Sequence, residues 1–281
     1  MLFSVLLAAL SVAPCDCVGF RFDDIQDYYD RDGQIAVIKL FREYNATLTV
    51  GVIGGSIGHD KELVAFLQEN GDIIEFANHG WLHEDFSSLS TDEQSRLMNQ
   101  TSVRIKELFG AKPVTFIAPF NRLNSGTVDA LNQNGMIILT ADKERDYPAL
   151  DERQIFHLPA NANVSDYDEE KLFWKSFDNE VVLADVRKRL ESDGYAMIMM
   201  HPRDFVDGEH KADQAKLEEL KKLITRLRSE GVRIVTVQEM AGLQKTPEFD
   251  AAVVVAGLSF LIAFYALIKH RRGQEQGKPT T

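Results

Sequence analysis

Short apolar runs rich in β-branched residues alternate with longer stretches of helical period along most of this 281-residue chain, and that alternation constrains the fold more than any other feature. Residues 18–25, 46–54, 72–78, 114–120, 136–142, 155–160, 195–201 and 232–237 read as strands. A strand that returns after each helix lies parallel to the one before. The expected fold is therefore α/β, a distorted barrel of seven to eight parallel strands. The helices carry their own punctuation. Ser90-Thr91-Asp92-Glu93 is a capping box that opens a helix running to Leu108, with Gly110 and Pro113 closing it. Residues 211–229 place Leu217, Leu220, Leu223, Ile224 and Leu227 at helical spacing as a packing stripe, with Gly231 just past the end. The one long polar connection is 143–153.

The chain ends set the expected location. Residues 1–12 are almost wholly apolar and small residues follow, so 1–17 reads as a signal peptide. Residues 251–268 carry no charge, and 18 residues at about 1.5 Å each reach about 27 Å, close to a bilayer core. They read as a transmembrane helix, and Lys269, His270, Arg271 and Arg272 directly after it fit a cytoplasmic stop. The expected organisation is one catalytic domain over 18–244, a linker over 245–250, the membrane helix, and a basic tail over 269–281. That layout places an exported protein at the outer face of the cell membrane, with the membrane itself as a partner.

Net charge is −12 overall and −15 without the basic tail from Lys269, which excludes nucleic acid as a partner. Cys15 and Cys17, one residue apart, suit neither a disulfide framework nor a four-thiolate metal site, so a domain stable without bridges is expected. The sequons at Asn45, Asn99 and Asn163 agree with export.

The expected strand ends carry chemistry. Asp23 and Asp24 would face opposite sides of an extended strand, but where the strand ends the chain can turn both into one pocket. One carboxylate can then bind a divalent cation while the other accepts a proton; a solvated turn is the plain alternative. His79 and His83 are four apart, so in a helical first turn they share a face and can bind one metal. Two imidazoles and a carboxylate make a three-ligand site with an open position. His201 ends an apolar run before Pro202, where a ring that titrates near neutrality can protonate a leaving amine, or simply bond to backbone.

In this order the residues resemble the NodB-type polysaccharide deacetylase family. Arg21-Phe22-Asp23-Asp24-Ile25 is similar to the first family motif, Thr-Phe-Asp-Asp-Gly, which implies Asp23 as general base and Asp24 as metal ligand. His79 to His83 matches the second, with Gly80 in the position of a hydroxyl residue, and implies both histidines as ligands. Phe116-Ile117-Ala118-Pro119-Phe120 resembles the third, Phe-Arg-x-Pro-Tyr; the Phe120 backbone amide would help hold the oxyanion, and Ile117 replaces the arginine that orients the base. Arg122, Arg21 or Arg203 would have to reach in instead. The fourth motif is poorly matched near 142–147, leaving Asp142 to orient His201. Met199-Met200-His201 resembles the fifth, with Met199 as wall for an acetyl methyl group and His201 as general acid.

The resemblance implies hydrolysis of an acetyl group, N-acetyl before O-acetyl, from a glycan, with one divalent metal: zinc, or else cobalt or nickel. Two other readings stay open, a catalytically impaired glycan-binding module on the same fold and a metal-dependent amidase on a non-glycan substrate. Trp81, Phe120, Trp174 and Phe205 could stack on sugar rings or serve as core. Thr246-Pro247-Glu248-Phe249, followed by the apolar stretch and basic cluster, resembles a PEF-type carboxy-terminal signal processed by archaeosortases, which would add a sorting enzyme as partner.

Overall fold

A computed structural model describes residues 15–141, 155–168, 173–176 and 178–245. Nearly all of them belong to one compact unit, Pro14–Leu243; the second unit, Met1–Ala13 with Gln244–Thr281, lies almost wholly outside the described residues.

The strands are β1 (Cys17–Ile25), β2 (Leu48–Val52), β3 (Ile74–Asn78), β4 (Thr115–Ile117), β5 (Ile138–Thr140), β6 (Phe156–His157), β7 (Ala162–Asn163), β8 (Ser165–Asp168), β9 (Phe173–Ser176), β10 (Tyr195–Met200) and β11 (Arg233–Val235). The eight strands expected from the sequence are all present, most of them trimmed at the ends. β7 and the antiparallel pair β8–β9 are additional, and they are too short and polar to show as apolar runs. The main sheet is ordered β6-β5-β4-β3-β2-β1-β10-β7, with β11 also on β1, and every pairing in it is parallel. It is a curled half-barrel, in keeping with the distorted barrel expected. The helices are α1 (Arg31–Glu43), α2 (Lys61–Glu69), α3 (Thr91–Phe109), α4 (Thr127–Gln133), α5 (Asn179–Asp193), α6 (Gln214–Ser229) and α7 (Val237–Lys245).

The period of two along β1 separates packing from chemistry. Val18, Phe20 and Phe22 enter the large apolar cluster shared with α1 and α6; Phe20 meets Phe41 edge to face at 5.0 Å. Arg21 and Asp23 alternate with them and face the cleft at the other side of the strand. Cys17, Met197, Val237 and Met240 form a separate apolar cluster beneath that polar layer. The first amides of α7 are anchored by the Thr49 hydroxyl (Val237 N–H, 2.9 Å) and the Glu75 carboxylate (Gln238 N–H, 2.8 Å).

The helix signals operate as written. Ser90 and Glu93 close a reciprocal capping box on α3, and Gly110 ends it at φ 68°. On α6 the stripe Leu217, Leu220, Leu223, Ile224 and Leu227 is buried, and Asp213 caps the start, three residues later than the sequence suggested.

One expectation is overturned. Cys15 and Cys17 form a disulfide, so the domain does carry a bridge; with one residue between them it closes a minimal loop that only fixes the entry to β1. The expected membrane span, the basic tail, the sorting motif and most of the expected signal peptide lie outside the described residues. Among the described residues, no helix is long and apolar enough to cross a membrane.

Candidate active site

Asp23 and Asp24 reach the same cleft by a device the sequence did not announce. The chain does not turn at the end of β1. Instead the register against β2 shifts between Phe22 and Ile25, and Asp24 adopts a left-handed backbone, φ 62°. This β-bulge inside the strand adds the half-turn that puts adjacent carboxylates on one side.

His79 and His83 also meet differently from the helical turn expected. Both lie in a loop that follows β3, with Gly80 at φ 76° and His83 at φ 62°. Thr101 donates to the Gly80 carbonyl at 2.8 Å, Asn78 Oδ1 accepts from Gly80 N–H at 3.1 Å, and Glu84 Oε2 accepts from Trp81 N–H at 3.0 Å. These bonds hold the loop. The rings lie 4.8 Å apart, nearly perpendicular. Gly51 gives His79 its room, since a Cβ there would sit 3.3 Å from the ring.

Asp24, His79 and His83 bring one ligand atom each within 4.8 Å of one another. Nε2 of each ring is 3.3 Å from Asp24 Oδ1, yet that buried oxygen has no hydrogen-bond partner. A buried oxygen facing two imidazole nitrogens without hydrogen-bond geometry, in a carboxylate–imidazole donor set, fits a divalent cation. His79 Nδ1–H donates to the Ile117 carbonyl at 2.9 Å, which leaves the Nε2 lone pair toward Asp24. Ile117 thus sets a tautomer through its backbone.

The field at the site favours the ligand forms of Asp24 and His83 and opposes that of His79. Burial opposes ionisation of Asp24, but its contact with His79 and the charges of His79, His201 and His83 outweigh it and hold the carboxyl well below the usual range. Burial, with His79 second, lowers His83 to about 4. His79 moves up: burial works against protonation, but Asp24 and Asp23 prevail, the same negative field that would attract a cation.

Asp23 belongs to a different network. Its carboxylate is 2.8 Å from the Arg21 guanidinium, and both side chains are 2% exposed or less. Arg21 also donates to Thr140 Oγ1 and Asn121 Oδ1, each at 2.9 Å, and contacts Met199 Sδ at 2.8 Å. Of the three arginines named as substitutes, Arg21 is the one against the expected base. Arg203 lies 3.5 Å from Asp24, and Arg122 pairs with Asp85 on the surface.

Arg21, Asp23, Asp24, His79, His83, Phe120, Met199 and His201 all line one cleft of about 360 Å³. Phe120 is half-exposed, at φ 56°, and its ring meets His83 edge to face at 4.4 Å. Trp81 is not brought to the cleft; it packs on the Phe86–Phe116 cluster, with Arg104 5.9 Å over its ring. Phe205 is core, against Phe22. Asp142 and the Trp174 side chain lie outside the described residues. Asp204 was not anticipated: its carboxylate is 3.7 Å from His201 Nδ1.

A sequence model of the polysaccharide deacetylase family matches residues 11–139. The uncharacterized protein YlxY of Bacillus subtilis (strain 168) is 22% identical over 206 residues, 73% of this chain and 51% of YlxY. Among solved structures, a family 4 acetyl xylan esterase from Clostridium thermocellum in complex with cobalt superposes with a TM-score of 0.58 at 19% identity, over 82% of this chain and 93% of that one. That family match covers less than half of the chain, and at these identities the structural likeness is one of fold. BA3943, a CE4 family pseudoenzyme from Bacillus anthracis, is also similar, with a TM-score of 0.55 at 17% identity over 80% of this chain and 65% of that one. The chain spans about half or less of the length of the curated relatives it matches.

Proposed function

We propose that this chain is a metal-dependent deacetylase that hydrolyses acetyl groups, N-acetyl in the first place, from a glycan at the outer face of the cell membrane. One observation carries the reading. Two adjacent carboxylates are committed to separate networks, Asp24 to His79 and His83 and Asp23 to Arg21, within one cleft that also holds His201. Paired acids with different partners are what general-base catalysis beside a cation requires.

Asp24, His79 and His83 would hold the ion, zinc or else cobalt or nickel. When bound, it would supply Lewis acidity to the acetyl carbonyl and to water. Asp23, aimed by Arg21, takes a proton from the attacking water. The Phe120 backbone amide donates to the developing oxyanion, and Met199 walls the acetyl methyl group. His201 gives its proton to the nitrogen as the carbon–nitrogen bond breaks, leaving acetate and a free amine; an ester would leave an alcohol by the same route. The location rests on the apolar stretches 1–12 and 251–268 and on the resemblance of 246–249 to a sorting motif.

A second reading, a glycan-binding module without turnover, is favoured by Ile117 in the arginine position and by the likeness to a pseudoenzyme. Acetate release separates the two. The panel follows the neighbours' substrates, acetylated xylan and N-acetylglucosamine oligomers, with the metal-loaded Asp23→Asn protein as blank. Release above that blank is the expected result. None, from a folded protein with cobalt bound, would overturn the enzyme reading.

A further inference from the structure

His201 is held from behind by a group absent from the family motifs it resembles. β10 ends at Met200, and residues Pro202–Phe205 form a tight turn that folds Asp204 back on it. Asp204 Oδ2 accepts from the His201 backbone N–H at 2.7 Å and lies 3.7 Å from the ring Nδ1. The other oxygen, Oδ1, accepts from Ser165 Oγ at 2.6 Å. Asp204 and Ser165 are 6% and 4% exposed, so water does not compete for these contacts. Burial alone would push the Asp204 carboxyl up, but His201 and the Ser165 bond outweigh it and keep the carboxylate ionised.

We propose that Asp204, fixed by Ser165, is the positioning residue for His201. Its negative charge faces Nδ1 and fixes the ring so that the other nitrogen can deliver a proton to the leaving group. The inference rests on the deacetylase reading, and it gives His201 an orienting acid three residues away on its own turn. In the transfer the proton leaves the imidazolium for the departing nitrogen as the carbon–nitrogen bond breaks; the ring becomes neutral and Asp204 keeps its charge throughout. A residue that only capped the turn would matter equally for every substrate. One that serves proton delivery matters most where the leaving group is poor.

The test compares an N-acetylated oligosaccharide, whose amine must be protonated to leave, with 4-nitrophenyl acetate, whose phenolate leaves without help. In the full-length, metal-loaded protein, Asp204→Asn should lower kcat on the oligosaccharide about 100-fold, in the range for loss of general-acid catalysis, and leave KM within about threefold. On the aryl ester it should cost less than about fivefold, and cobalt affinity should hold. The double variant Asp204→Asn/His201→Ala should be no slower than His201→Ala alone. Ser165→Ala, which keeps the carboxylate, should show the same split at a smaller size and carries the test if Asp204→Asn does not fold. Equal losses on both substrates, or additive losses in the double variant, would overturn the inference while the deacetylase reading stood. A wild-type protein that releases acetate from neither substrate would remove both.

Discussion

Replacing Arg21 with methionine keeps an apolar stem and deletes the guanidinium. Asp23 is then left 2% exposed without its ion-pair partner, and Thr140 and Asn121 lose a donor. Removing one partner of a buried ion pair costs about 3–5 kcal/mol, far above the 0–1 kcal/mol of a surface pair, because the remaining charge is desolvated and uncompensated. For a domain of this size about 1 kcal/mol moves Tm by roughly 2–4 °C, so Arg21→Met should lower Tm by about 6–20 °C. Asp23→Asn should cost less, about 1–3 kcal/mol, since Arg21 keeps Thr140, Asn121 and Met199 and a neutral oxygen can still accept. The double variant Arg21→Met/Asp23→Asn should recover at least half of what Arg21→Met lost, because no buried charge is stranded. Denaturant unfolding of the four proteins closes the cycle. A cost below about 1 kcal/mol for Arg21→Met, or strictly additive losses, would refute the claim that Arg21 exists to hold Asp23. Turnover adds an independent reading: Arg21→Lys keeps the charge but not the planar fork, and should fall between wild type and Arg21→Met in kcat.

Other outcomes follow from the same geometry. Asp24→Asn should lower cobalt affinity at least tenfold by titration, whereas Asp23→Asn should bind cobalt normally and release no acetate; identical behaviour of the two would sink their separate roles. Gly80→Ser, which writes the family hydroxyl back in, should destabilise by about 1–2 kcal/mol, because the backbone there is at φ 76° and a Cβ would lie 3.2 Å from Glu84 Oε2 and Pro119 Cγ; a Tm equal to wild type would contradict this. Burial raises the Glu75 carboxyl above its ordinary 4.5 despite donors from Thr115, Gln238 and Thr49. A raised folded value means its contribution is full below about pH 4.5 and is lost as pH rises through the folded value. The stability of Glu75→Gln relative to wild type should therefore increase with pH from about 4.5 upward, and a flat difference in denaturant midpoints would show the shift to be absent.

The sheet was legible in the sequence because its signal is local and redundant. Each strand is a run of β-branched residues bounded by a helix with its own cap, and β1 states its two faces outright: Val18, Phe20 and Phe22 pack, while Arg21 and Asp23 do not. The meeting of Asp24, His79 and His83 was legible for a different reason, since their spacing and order survive whatever backbone connects them. That backbone was not legible. A spacing of four between His79 and His83 fits a helical turn, but here the loop built on Gly80, Thr101 and Glu84 achieves the same meeting. The bulge at Asp24 likewise leaves no mark in the residue types, because it is defined by register against β2. The supports of the acid and base were hardest to read, as motif comparison looks for them at fixed, distant positions. Ile117 and the degraded segment after Thr140 suggested a site that had lost both. The described contacts place an arginine two residues before the proposed base, Asp23, and an aspartate three residues after the proposed acid, His201. In a strand, residues i and i+2 share a face; in a tight turn, i and i+3 meet. Support supplied from the same segment therefore needs no distant residue, and the loss of a family motif does not by itself imply the loss of its function. The Arg21 and Asp204 variants test that step, because each, while folded, should leave cobalt binding intact and impair the proton transfer its partner performs.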